Sequence, residues 1–223
     1  MTTDVRAVHR PRPRPKLRGV VHLGAFTVSV PTGVTLVLTA PEGWAQVAAG
    51  IYAFGLSFMF GASALLHRRP WYPRTRRVLD RLDHTGIMLC IAGTFTPVVG
   101  IGATGWVRIT CLSVAWGGAL LVIAYDWLPL RRVKGLITGS FLAIGWVGVL
   151  TMPQLWQNVG VLAVVGILGG GVVYTVGAVL LVNRWPDPWP ATFGYHEVWH
   201  LFVTAAAAIH FATIATQVLP DAA

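Results

Sequence analysis

The chain has 223 residues, of which 55% are hydrophobic and only 11% charged, with a formal net charge of +9. A soluble domain carries roughly 25% charged residues, so a water-soluble globular fold is excluded. The apolar residues fall into runs close to the roughly 20 residues that cross a bilayer as a helix. The composition therefore predicts an all-α membrane protein, a seven-transmembrane helix bundle.

In chain order, residues 1–19 (MTTDVRAVHRPRPRPKLRG) form a basic, proline-rich tail. Its alternating Arg-Pro stretch at 10–15 cannot form a helix and is expected to be disordered. No cleavable leader is visible, because the first apolar run is long enough to span. The predicted spans cover about 20–40, 45–66, 84–104, 107–125, 134–152, 159–182 and 196–217, leaving 218–223 as a short tail and 20–217 as the membrane domain. The cysteines, Cys90 and Cys111, both lie inside apolar segments and read as small buried hydrophobes, without a disulfide framework.

The positive charge is sorted by loop. Arg6, Arg10, Arg12, Arg14, Lys16 and Arg18 precede span 1, and Arg68, Arg69, Arg74, Arg76, Arg77 and Arg81 follow span 2. Arg131, Arg132 and Lys134 follow span 4, and Arg184 follows span 6; on the alternate loops only Arg108 appears. This is the positive-inside pattern of a cell (plasma or inner) membrane protein, not a nucleic-acid surface, and it predicts a cytoplasmic N-terminus and an external C-terminus. Trp71, Tyr72, Trp127, Trp185 and Trp189 near span ends match an interfacial aromatic belt.

Span parity then brings three polar groups to one depth near the cytoplasmic face. These are Ser63 and His67 at the end of span 2, Asp83 and His84 at the start of span 3, and His196 and His200 at the start of span 7. Ser63 and His67, like His196 and His200, are four apart and share a helix face. Ionisable side chains at this depth are costly and mark functional sites. Three imidazoles with a carboxylate nearby suit a zinc ion held by three protein ligands, the fourth position left for a water of lowered pKa. Asp83 would orient or deprotonate that water, and Ser63 would hydrogen-bond to it or to the substrate. The bland alternative is three polar residues hydrogen-bonded within the bundle, with Asp83 paired to Arg81 and Ser63 a small packing residue beside Gly55, Gly61, Ala62 and Ala64.

Span 7 also contains H-E-x-x-H, in "GYHEVWHL" at 194–201. In soluble zinc proteases this motif holds the metal and supplies the base. Here Glu197 sits about 100° around the helix from His196, and it reads as a favourable negative charge near a helix N-terminus. His210 is too far along the same helix to close on the same ion. His84 is assigned to packing or to supporting the site, Pro97 and Pro153 to helix kinks or ends, and Gly169, Gly170 and Gly171 to close helix packing rather than a phosphate loop.

S-x-x-x-H, D-H and H-x-x-x-H on those three spans, with "IAGTFTPV" at 91–98, the Gly-rich run at 169–177 and "FGYHEVWHLF" at 193–202, resemble the hemolysin III family. That family is the bacterial branch of the progestin and adipoQ receptor superfamily, related to alkaline ceramidases. The likeness runs from about residue 18 to 217. It implies zinc held by His67, His196 and His200, with Asp83 and Ser63 around the metal-bound water. One motif departs: "LRGVVHLGA" keeps His22 without the Glu and Asn that often precede it, so His22 is expected to be structural or interfacial. Two functions follow. The first is a zinc-dependent hydrolase of a membrane lipid amide or ester, acting in lipid homeostasis on a fatty-acyl substrate. The second is a non-enzymatic lipid-sensing regulator with structural zinc. A cytolysin is disfavoured because such a bundle must already be inserted to be stable. Small residues at helix surfaces serve internal packing and dimers alike, so the oligomeric state stays open.

Overall fold

The computed structural model describes residues 14–131, 133 and 135–222. Its helices are α1 (Val20–Thr39), α2 (Trp44–Arg68), α3 (Pro73–Gly102), α4 (Gly105–Trp127), α5 (Leu136–Trp146), α6 (Met152–Asn158), α7 (Val161–Asn183) and α8 (Tyr195–Thr213). A 3-10 turn (Val147–Thr151) joins α5 to α6, and helical turns continue past α8 to Ala222. Counting α5 with α6 as one element, seven helical segments among the described residues are long and apolar enough to cross a membrane. Leu38, Leu121 and Val182 are 73%, 73% and 70% exposed. Apolar surface of that kind needs lipid, not water, around it.

Two boundaries differ from the expected spans. α3 begins at Pro73, not near residue 84, because the basic segment after span 2 is itself helical, with proline in the first turn where its missing N–H costs nothing. The fifth span reaches Asn158 rather than 152. Its helix breaks at Val147–Thr151 and restarts with Pro153 in the first turn of α6. Pro97, by contrast, lies inside an unbroken α3.

α3 is the central helix, with 67% of its apolar stretch buried against 22% for α1 and α4. It packs closely on α2 because glycines stand at the crossing. A Cβ on Gly55 would lie 2.6 Å from the Leu89 carbonyl oxygen, and one on Gly86 2.8 Å from Met59 Cα. Such small residues let helix backbones approach where lipid provides no hydrophobic drive for association. The main core gathers Tyr52, Leu56 and Met59 of α2, Cys90 and Val98 of α3, Leu155 of α6 and Val203 of α8. A second cluster joins Phe95 and Val99 of α3 to Val107 and Cys111 of α4. Both cysteines are free and buried.

Of the expected basic tail, residues 1–13 lie outside the described residues. Residues 14–19 pack against the bundle: Lys16 and Leu17 donate backbone hydrogen bonds to the carbonyls of Ala191 and Thr192, 3.1 and 3.0 Å away. This segment and the turn before α8 close over the end of the bundle that carries the basic loops.

Candidate metal centre

His67 lies in the last turn of α2, and His196 and His200 in the first two turns of α8. Each offers one ring nitrogen to a group whose members all lie within 4.8 Å of one another. Ring centroids are 4.7 Å apart for His67 and His196, 5.1 Å for His67 and His200, and 4.6 Å for His196 and His200. Nε2 of His67 and Nε2 of His196 face each other at 3.3 Å. His200 is 2% exposed, and its Nδ1 has no hydrogen-bond partner among the described residues. Buried polar atoms are normally paired. Three imidazoles so placed can satisfy one another only in part, and they can hold a metal ion.

Of the other residues singled out in the sequence, Asp83 and Ser63 lie around this triad. Oδ2 of Asp83 is 3.6 Å from Nε2 of His67. Ser63, one turn before His67, is 3% exposed and lines the same cavity as Asp83, His196 and His200. Arg81, the alternative partner for Asp83, instead lies over the Trp127 ring, 5.7 Å from its centroid. The cavity has a volume of about 260 Å³ and runs from the histidines between α3, α5, α7 and α8, past Ile91, Phe95, Leu142 and Leu168, to Thr151 and Met152. Its walls are mostly apolar, as those of small-molecule pockets generally are.

His22, expected apart from the site, is 3% exposed and stacks on His200 with centroids 3.8 Å apart and planes 10° from parallel. Phe60 meets its other side edge-on at 5.2 Å. It lies outside the group of three and holds the His200 ring by its face. Span parity was the signal that could have found it, since His22 starts span 1 at the same end of the bundle. His210 is remote from the triad and bonds to the Ile167 carbonyl at 3.0 Å.

Glu197 is wholly buried. One carboxylate oxygen accepts from the Gly194 N–H at 2.9 Å, capping α8, and the other meets Nε of Arg18 at 2.8 Å. The H-E-x-x-H glutamate is thereby occupied as a helix cap and counter-ion. Arg18 belongs to the packed 14–19 segment, whose Arg14 bonds to the His67 carbonyl. Gly19 follows with φ 76°, and a Cβ there would lie 2.8 Å from His67 Cβ, so glycine serves both the left-handed turn and the close approach. Burial and the neighbouring arginines Arg18, Arg68 and Arg76 pull the Arg14 guanidinium below its ordinary value.

Fold and site together define a polytopic helical membrane protein with a three-histidine cluster inside one end of its bundle. The family model for haemolysin-III related proteins matches residues 11–211, and the chain belongs to that family. Hemolysin-3 of Bacillus cereus is 30% identical over 203 residues, 90% of this chain and 89% of that protein. Monocyte to macrophage differentiation factor of Homo sapiens is 25% identical over 179 residues, covering 77% and 70%. An adiponectin receptor protein of Drosophila melanogaster is 25% identical over 183 residues, covering 74% and 41%.

Proposed function

We propose that this protein is a zinc-dependent hydrolase of a membrane lipid amide or ester, set in the cell membrane with its basic end in the cytoplasm. The observation that carries the reading is the meeting of His67, His196 and His200 beside an apolar cavity that His196, His200, Asp83 and Ser63 line. The donor set fits zinc, which takes imidazole nitrogen readily and in catalytic sites is held by three protein ligands. When bound, zinc would polarise the substrate carbonyl and acidify a water.

The chain's own residues supply the rest. The apolar cavity walls hold the acyl chain, while the bundle keeps bulk water away. Asp83, within 3.6 Å of His67, receives a proton at Oδ2 from the attacking water. Ser63 donates a hydrogen bond from Oγ to the substrate oxygen. His22 fixes the His200 ring plane by stacking.

Metal analysis of the protein purified in mild detergent tests this directly. About one zinc per chain is expected in wild type and none in His67→Ala, as for a site of three protein ligands. Asp83→Ala should retain the zinc and lose about 10²- to 10⁴-fold of lipid amide or ester turnover. Metal-free wild type, or unaltered turnover in Asp83→Ala, would refute the hydrolase. The packing of residues 14–19 over the cluster favours a second reading, a lipid sensor with structural zinc. Full biological activity in Asp83→Asn, with zinc bound, would select it.

A further inference from the structure

The residue after Asp83 presents a second titratable group to the cavity, and hydrolysis as described above leaves it without a role. The His84 side chain is 33% exposed, and its ring lies beside Phe141 of α5, with centroids 6.1 Å apart; both residues line the cavity. Its Nδ1 stands 3.0 Å from Oδ2 of Asp126. Asp126, near the end of α4, is 1% exposed and stands behind the imidazole, not among the cavity-lining residues. A buried carboxylate on an apolar helix is costly unless a partner compensates it.

The pairing has a chemical direction. A carboxylate only accepts hydrogen bonds, so Nδ1 of His84 carries the hydrogen and the ring is held in one tautomer. Nε2 is then the nitrogen that exchanges protons, and among the described residues it has no hydrogen-bond partner. A carboxylate behind an imidazole, with the far nitrogen free for a substrate, orients the ring so that its imidazolium form aims the Nε2 hydrogen at that substrate. Consecutive helical residues diverge by about 100°. A single segment of α3 thus sends Asp83 towards His67 and His84 towards α4 and α5.

We infer that His84 is a further catalytic residue, the proton donor to the leaving group, with Asp126 as its positioning residue. This rests on the hydrolase reading above. As water attacks the amide carbonyl, the new C–O bond forms and Asp83 takes a water proton. The C–N bond breaks, its electron pair goes to nitrogen, and that nitrogen takes the proton from Nε2 of His84. The products are a carboxylic acid and an amine, and one water is consumed. The proton left on Asp83 returns to His84 through solvent.

Leaving-group dependence tests the role. The full-length, zinc-loaded protein in detergent is assayed on a long-chain N-alkyl amide and on the p-nitrophenyl ester of the same acid, whose leaving group departs without protonation. In His84→Gln, the amide rate should fall about 100-fold more than the ester rate, within the range of general acid catalysis. Asp126→Asn should show the same bias, with zinc content equal to wild type. Histidine-selective nitrogen NMR should show the His84 tautomer ratio changed in Asp126→Asn. Equal losses on both substrates, or none, would overturn the donor role and leave the hydrolase standing. Wild type inert to both substrates would remove the hydrolase and the donor together. Because the bias is read within one variant, a general loss of folded protein cannot imitate it.

Discussion

Gly170 has no room for a methyl group. A Cβ there would fall 2.3 Å from both Cδ2 and Nε2 of His210, whose ring bonds to the Ile167 carbonyl and ties α8 to α7. Gly170→Ala should therefore cost about 1–3 kcal/mol, the usual penalty for overpacking, seen as a lower Tm in detergent. Gly171 has open space around its Cβ position, so Gly171→Ala should be neutral or stabilise by up to about 1 kcal/mol through helix propensity. Equal melting points for the two variants would refute this packing. Run in parallel, the three glycines look alike in the sequence, and only one of them makes the close approach. Glu197 carries the same lesson. Its place in H-E-x-x-H suggested a base, its place at a helix start suggested a favourable negative charge, and the Arg18 contact that completes its role joins residues 179 positions apart.

Among the elements, the 14–19 segment does most to shape the site. It is joined to the turn before α8 by backbone hydrogen bonds, to Glu197 by Arg18, and to the His67 carbonyl by Arg14. It therefore fixes the ends of both helices that carry the histidines. Removing residues 1–18, or the milder Arg18→Ala, should weaken zinc binding about 10–100-fold, the usual effect of losing groups that orient ligands. Titration against a competing chelator would measure it, and unchanged affinity would show that the segment is only a lid. Proline and charge marked these residues as an unstructured tail; neither signal carries information about a partner loop nearly 180 residues away. The apolar span read from about residue 84 likewise starts inside α3, which begins at Pro73, because hydropathy reports where lipid contact begins and says nothing of a polar helix continuing beyond it.

For the whole molecule, the charged loops gather at the end that holds the histidines, and the opposite end is nearly free of them. That asymmetry predicts the orientation. In intact cells, a cysteine at Thr104 between α3 and α4 should react with a membrane-impermeant maleimide, and one at Arg76 should not. Both positions are exposed, while the native cysteines are buried. The reverse labelling pattern would invert the molecule and put the metal centre outside.

By itself the sequence determined that the protein is helical, that seven segments cross a membrane, and that Ser63, His67, Asp83, His196 and His200 share one depth. Composition and helical period are local properties, and span parity turns them into depth. Only the tertiary structure decided which groups at that depth touch: His22 on His200, Arg18 on Glu197, Asp126 behind His84. Rotation of each helix about its own axis is set by packing against several neighbours at once, and no single segment carries that information.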